Sequence, residues 1–281
     1  MKAAMTVRQI EELSLNAWPA LHTLAYDGWL LRFSAGYTKR ANSINPLYPS
    51  SKSLAPKIAA CEMLYAQQYG LDVVFKMTQA SQPPELDAIL DARGYHRIDE
   101  TGVLTLGLAT IRSEDLAPNG MYVNLSSKPT QNWIDAFILL SGIAKHYIPP
   151  MEKMLGSIIA GQTCFVSLVG EGGEIAAVGF GVLERGYLGL FDIVVAEPLR
   201  GRGVGTGLMG HLLRWGKGTG ADTAYLQVIN SNGPAMRLYK KLGFAERYAY
   251  WYRVKTVAET GALAAPASPP RSEGKDGQIN V

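Results

Sequence analysis

The sequence predicts a mixed α/β protein built from two successive modules around a mixed sheet. Three observations carry that reading. The chain has 281 residues, enough for two domains of ordinary size. Its second half alternates amphipathic helices with apolar strands. Between residues 110 and 120 the composition turns polar, TIRSEDLAPNG, with Pro118 and Gly120 as breakers. Hydrophobic residues make up 47% and charged residues 18%, which suits a sizeable core and excludes a fibrous or wholly disordered chain. Basic residues number 27 against 24 acidic ones, a formal charge of +3. That bias is too weak to select nucleic acid or an anionic membrane as a partner.

The first module, residues 1–110, opens with a helix over residues 6–16, where Val7, Ile10, Leu13 and Trp18 keep near-helical spacing and Pro19 ends it. Residues 26–45, YDGWLLRFSAGYTKRANSIN, read as a hairpin turning at Ser34-Ala35-Gly36 and closed by Pro46 and Pro49. A helix follows over residues 53–69 with Gly70 as its cap, then a buried strand over 71–77. Pro83 and Pro84 open a short helix over 85–93 that Gly94 stops, and residues 95–108 hold one or two strands. Residues 111–120 form the linker.

The second module, residues 121–255, begins with a strand over 121–125. Next comes a helix with the apolar face Trp133, Ile134, Phe137, Leu140 and Ile143, and another over 151–160. Strands over 163–169, 174–184 and 187–195 are followed by helix 204–217, strand 223–229, helix 233–241 and strand 245–254. Residues 256–281, rich in Ala, Pro, Ser and Gly, have little to bury and are expected to form a disordered tail. Cys61 and Cys164 lie far apart without histidines at zinc-ligand spacing, so no metal site and two reduced thiols in a cytoplasmic protein are expected. Glu11 and Glu12 interrupt the N-terminal region, and no apolar run reaches about 18 residues, so neither an export signal nor a membrane span is expected.

Chemistry concentrates in residues 189–215, GLFDIVVAEPLRGRGVGTGLMGHLLRW: an apolar strand, a break at Pro198, a basic glycine-rich loop and a helix with Val204, Leu208, Leu212 and Trp215 on one face. Gly201, Gly203 and Gly205 remove Cβ atoms where backbone N–H groups converge at a helix N-terminus, an arrangement that favours a phosphate. Arg200 and Arg202 add charge-assisted donors at its rim. A dinucleotide fingerprint would need Gly-x-Gly-x-x-Gly and a ribose-binding acid about twenty residues later, whereas a P-loop would need Gly-Lys-Ser/Thr, which is absent.

The pattern Arg200-x-x-Gly203-x-Gly205 resembles the acyl-CoA pyrophosphate loop of the GNAT superfamily of N-acetyltransferases. Residues 226–244, LQVINSNGPAMRLYKKLGF, resemble the same superfamily's following strand and helix through Asn232, Ala235, Leu238, Tyr239, Lys241, Gly243 and Phe244. The resemblance implies two central parallel strands, 187–195 and 223–229, that splay apart to admit acetyl-CoA. Backbone at Ile193, Val194 and Val195 would pair with the pantetheine, and Arg200, Gly201, Arg202, Gly203, Val204, Gly205 and Thr206 would bind the pyrophosphate, with Asn232 opening the next helix. Tyr239, matching the family's phenol, is the expected general acid. Asp192, a charge inside the apolar run LGLFDIVV, is costly unless it serves something; it is a candidate for base or amine binding, or for pairing with an arginine. Glu184, Tyr187 and His146 are weaker candidates.

Residues 73–98 can be laid beside 228–247, with Gly94-Tyr95 matching Gly243-Phe244, but Leu90 falls where Tyr239 stands and no Arg-x-x-Gly-x-Gly loop precedes it. The first module is therefore expected to be a GNAT-like half, part of a tandem, without its own CoA site. Arg32, Tyr37, Lys39, Arg40 and Asn42 either shape the acceptor pocket or an inter-domain contact, or form a solvated strand face. The expected activity is acetyl transfer from acetyl-CoA to a primary amine of a small molecule, with an aminoglycoside-type amino sugar among the candidates. A protein N-terminus or lysine, or a CoA-binding sensor without turnover, is the alternative. A monomer or homodimer is expected.

Overall fold

The computed structural model describes residues 5–111 and 121–261. Helix α1 (Val7–Ala17) begins with a capping box: Gln9 N–H donates to Thr6 Oγ1 at 3.2 Å and Thr6 N–H to Gln9 Oε1 at 2.8 Å. Strands β1 (His22–Tyr26) and β2 (Trp29–Phe33) form a hairpin over Asp27 and Gly28, whose φ angles are +45° and +81°. Two successive positive φ values match the right-handed strand twist, which is why Asp-Gly makes so tight a turn. The expected hairpin over 26–45 is borne out in part. The chain turns at Ser34-Ala35-Gly36, where Tyr37 N–H donates to the Ser34 carbonyl at 2.9 Å, then makes one 3₁₀ turn at Lys39–Ala41 before the two-residue strand β3 (Ile44–Asn45), which pairs antiparallel with β2.

Helix α2 (Leu54–Glu62) continues as a π-helical stretch over Met63–Gln68 and is followed by β4 (Val73–Met77), α3 (Leu86–Ala92) and β5 (His96–Gly107). Next come β6 (Tyr122–Ser126), α4 (Gln131–Ser141) and α5 (Ile148–Gly156). The expected start of α5 at residue 151 is three residues late. Pro149 and Pro150 sit in its first turn, where a missing N–H costs no hydrogen bond. Strands β7 (Gln162–Val169), β8 (Ile175–Glu184) and β9 (Tyr187–Val195) form an antiparallel meander. The chain closes with α6 (Val204–Gly218), β10 (Thr223–Ile229), α7 (Gly233–Lys241) and β11 (Ala245–Lys255). The expected linker and tail fall mostly on residues 112–120 and 262–281, outside the described residues.

Residues 53–73 and 255–261 belong to a small unit of their own, in which Lys255 pairs with Glu62 at 3.5 Å and Val257 N–H donates to Asp72 at 3.0 Å. In the main unit, eleven strands among the described residues form one sheet, ordered β1-β2-β3-β4-β11-β5-β10-β9-β8-β7-β6. Its centre is exchanged between the two halves of the chain. β5 pairs antiparallel with β10 along the whole of Thr223–Ile229, and β11 lies between β4 and β5. Each half thus ends in a strand–helix–strand segment, β4-α3-β5 or β10-α7-β11, whose last strand lies beside the other half's parallel strand.

Alternation along the strands sends side chains to two cores. Phe191 joins Trp18, Trp133, Phe137 and Phe180 beneath α1, α4 and α5, while Leu188 and Leu190 join Leu208, Leu212 and Tyr239 beneath α6 and α7. Phe180 stacks on Phe165 and Phe191 at 5.0 and 5.3 Å. Both cysteines are free and buried, and burial pushes the thiols up to about 12 for Cys61 and about 11 for Cys164. No helix among the described residues is long and apolar enough to cross a membrane.

Candidate active site

Parallel pairing between β9 and β10 runs from Tyr187 and Thr223 only to Leu190 and Leu226, although both strands continue. Beyond that point they part, and β9 shows why. Asp192 has φ +50°, and the register against β8 shifts so that Phe191 faces Phe180 while Val194 faces Val178. Asp192 and Ile193 together oppose Gly179, a β-bulge that bends the strand. A Cβ on Gly179 would lie 2.6 Å from Ile193 Cδ1, so a larger residue there would displace the Ile193 side chain.

One side of the gap is a cleft of about 640 Å³ walled by Ile193, Val194 and Val195, by the loop from Leu199 to Thr206, and by α7. Gly201 and Gly203 take φ of +74° and +85°, a region that favours glycine. Gly203 is the N-cap of α6 and supplies no side-chain bond, so the first-turn N–H groups of this 15-residue helix keep no side-chain partner. Gly205 serves packing: a Cβ there would meet Leu238 Cδ2 of α7 at 3.2 Å. Arg200 Nε donates to the Val195 carbonyl at 3.3 Å, tying the loop to the end of β9. Of the residues expected on this wall, Arg202 is exposed and Val204 is buried in the core; neither lines the cleft. The Val204 N–H nonetheless remains in the first turn.

The other side is a cleft of about 450 Å³ lined by Asp192, Gln227, Tyr250 and Tyr252, and by Thr38, Lys39 and Arg40 from the loop after β2. Ile193, Val194, Asn232, Ala235 and Tyr239 line both. Asn232 Oδ1 accepts the Ala235 N–H at 3.2 Å and so caps α7, which presents Tyr239 at the junction. Tyr239 is 7% exposed; burial, and then the charge of Asp192, pushes its phenol up to about 12, so it is protonated at neutral pH. Asp192 Oδ1 accepts from Arg40 Nη2 at 3.1 Å, while Oδ2 is buried with no hydrogen-bond partner. Burial raises the pKa of Asp192 and Arg40 opposes the rise. At the rim Lys39 pairs with Asp99 at 2.9 Å.

A family model described as "Probable histone acetyltransferase Rv0428c C-terminal" matches residues 4–253. The chain belongs to this acetyltransferase family. It is 33% identical over 249 residues to the uncharacterized N-acetyltransferase YobR of Bacillus subtilis (strain 168), covering 89% of this chain and 98% of that protein. A solved GCN5-related N-acetyltransferase from Kribbella flavida matches with a TM-score of 0.66 at 13% identity, over 90% of this chain and 96% of that one. A tandem GNAT protein from the clavulanic acid biosynthesis pathway gives 0.58 at 15% identity, over 95% and 91%. The fold is that of the GNAT N-acetyltransferases, enzymes that use acetyl-CoA as co-substrate.

In this acetyltransferase the residues present fit that co-substrate. The uncapped N-terminus of α6 and its two left-handed glycines leave backbone N–H groups free of side-chain partners, a geometry that suits phosphate oxygens. The sequence reading missed Arg237 as a member of the same wall and took Lys241 only as part of a motif. Both line the cleft from α7, one helical turn apart at i and i+4. That spacing was the available signal. Glu184, Tyr187 and His146 line neither cleft; Glu184 instead takes Asn16 and Arg185 as partners at 3.1 Å. The polar residues of β2 and the loop after it divide. Arg32 and Asn42 are buried in backbone hydrogen bonds, whereas Lys39 and Arg40 reach the smaller cleft.

Proposed function

We propose that this acetyltransferase moves acetyl from acetyl-CoA directly to the primary amine of a compact small molecule. One observation carries the reading: the two clefts meet at Tyr239, so a thioester lying from the glycine-loop side and an amine from the side of Asp192 come together beside a phenol. The first-turn N–H groups of α6, with Arg200, Arg237 and Lys241, would hold the phosphates, and the edge of β9 at Ile193 to Val195 would hold the pantetheine amides. Asp192 attracts the ammonium form of the acceptor and takes its proton, directly or through water. The freed amine nitrogen then bonds to the carbonyl carbon as the carbon–sulfur bond breaks. Tyr239 gives its hydroxyl proton to the departing sulfur, and the proton that the acylated nitrogen loses in becoming an amide restores the phenol, directly or through water.

The charges lining the acceptor cleft narrow the acceptor. Asp99 and Asp192 are matched by Lys39 and Arg40, leaving no surplus of carboxylates for a polycation. This favours an amine of low net charge over an aminoglycoside-type amino sugar, and the size of the cleft favours a compact molecule over a protein lysine. The experiment is release of free thiol from acetyl-CoA with a panel of amines, read against hydrolysis without amine. A compact monoamine should accelerate it most; an aminoglycoside or a histone peptide as the best acceptor would overturn the substrate class.

A further inference from the structure

Arg40 and Asp192 lie 152 residues apart in the chain and meet at 3.1 Å. The loop carrying Arg40 is braced to hold it. Arg32 donates from Nη1 to the Arg40 carbonyl at 2.6 Å and from Nη2 to the carbonyls of Leu15, at 3.3 Å, and Trp18. Asn42 Oδ1 accepts the N–H groups of Ser34 and Gly36 at 2.7 and 3.0 Å, and its Nδ2 donates to the carbonyls of Tyr37 and Thr38 at 2.8 and 2.9 Å. These bonds hold Ala35 and Thr38 at φ of +51° and +59°, which residues with a side chain rarely adopt. The guanidinium of Arg40 also lies 4.7 Å over the Trp18 ring.

We infer that Arg40 is a positioning residue for acetyl transfer: its bond keeps the Asp192 carboxylate ionised and oriented toward the acceptor amine, so the first half of the chain completes the acceptor side of the site. This rests on the reading of Asp192 given above. The reason is desolvation. The Asp192 side chain is 11% exposed and its second oxygen has no partner, so without a cation it would take up a proton and lose its hold on an ammonium. No other group facing the pair replaces Arg40. Tyr37 from the same loop, Tyr239 from α7, and Tyr250 and Tyr252 from β11 are phenols; Lys39 is engaged with Asp99 at the rim; Lys76 of β4 and Arg32 of β2, which line a small cavity with Arg40, are held by Glu11 of α1 and by backbone carbonyls.

The sign of the effect follows. Removing Arg40 raises the pH at which Asp192 ionises, so the acidic limb of kcat/KM for the amine moves upward, and activity recovers toward alkaline pH. The test compares Arg40→Met, Arg40→Lys and Asp192→Asn in the full chain, with the best acceptor from the amine panel. Melting temperature and calorimetric CoA affinity confirm that each variant is folded. Expected for Arg40→Met are an amine KM raised about tenfold or more, an acidic limb displaced by about one pH unit or more, and an unchanged acetyl-CoA KM. Arg40→Lys, which keeps the charge, should return the limb toward wild type and also serves if the Met variant fails to fold. If Asp192→Asn impairs amine use while both Arg40 variants keep the wild-type limb and amine KM, this inference falls alone. If Asp192→Asn leaves amine kinetics unchanged, the reading of Asp192 falls with it.

Discussion

Tyr239 combines two properties that pull against each other: it lines both clefts where they meet, and its ring belongs to the core, 6.0 Å from Phe244. A Tyr239→Phe variant separates them, because it keeps the ring and removes the proton. A positioned acid or base is typically worth about 10²–10⁴ in rate, so kcat should fall by that order while calorimetric acetyl-CoA affinity and melting temperature hold. Unchanged kcat, with chemistry rate-limiting, would leave Tyr239 a packing residue. This residue was legible in the sequence because it sits inside a local pattern, Leu-Tyr-x-Lys-x-Gly-Phe. The cation beside Asp192 was not. The charge in an apolar strand announced that Asp192 needed a partner, but nothing local chooses among 27 basic residues, and the choice is made by folding alone.

Among the elements, the glycine loop and its helix show that neighbouring glycines do different work. A Cβ at Gly203 meets nothing within 4 Å, whereas one at Gly205 meets Leu238 at 3.2 Å. Gly203→Glu should therefore cost only the strain of a positive φ, about 1–2 kcal/mol, while placing a negative charge where the phosphates are proposed to lie. CoA affinity should collapse in a protein whose thermal melt stays cooperative; near wild-type affinity by calorimetry would remove the loop from the phosphate site. Gly205→Val should behave in the opposite order, lowering the melting temperature first because α6 and α7 must separate. Sequence reading found these elements because strand, loop and helix are contiguous there. It failed at the β1–β2 hairpin, where the Asp27-Gly28 turn was passed over and only the later turn at Ser34-Ala35-Gly36, which leads to β3, was read. It failed again at α5, whose start was set three residues late although a first helical turn accepts Pro149 and Pro150.

For the molecule as a whole, the exchanged centre of the sheet is the feature least visible beforehand, because the partners of β5 and β11 are set by contacts more than a hundred residues distant. The strand–helix–strand resemblance between residues 73–98 and 228–247 could be laid out by eye; which strand lies beside which could not. The exchange has a physical consequence. A fragment of residues 121–255 retains every residue proposed for CoA binding but loses β4 and β5, leaving one edge of β10 along its full length and both edges of β11 without hydrogen-bond partners. Open edges of that length aggregate, so this fragment should be insoluble or lack a cooperative melt, and adding residues 1–111 as a second chain should restore folding. A soluble, fully active fragment would show that the halves fold independently.

The same symmetry sets a stoichiometry. A tandem of two related halves invites two CoA sites, yet among the described residues only the second half carries left-handed glycines at the N-terminus of a long helix and a phenol lining two adjoining clefts. In the first half α3 is a seven-residue helix with buried Leu90 at the place corresponding to Tyr239, and the segment between β3 and β4 has no Arg-x-x-Gly-x-Gly sequence. What that half contributes instead is the loop after β2, which reaches the acceptor cleft through Thr38, Lys39 and Arg40. Calorimetric titration should therefore give one CoA per chain, and Gly203→Glu should abolish that single event rather than half of the binding. Substitution of Lys39 should change the KM for the amine and leave CoA affinity alone. A stoichiometry of two, or residual high-affinity binding in Gly203→Glu equal to half of wild type, would place a second site in the first half.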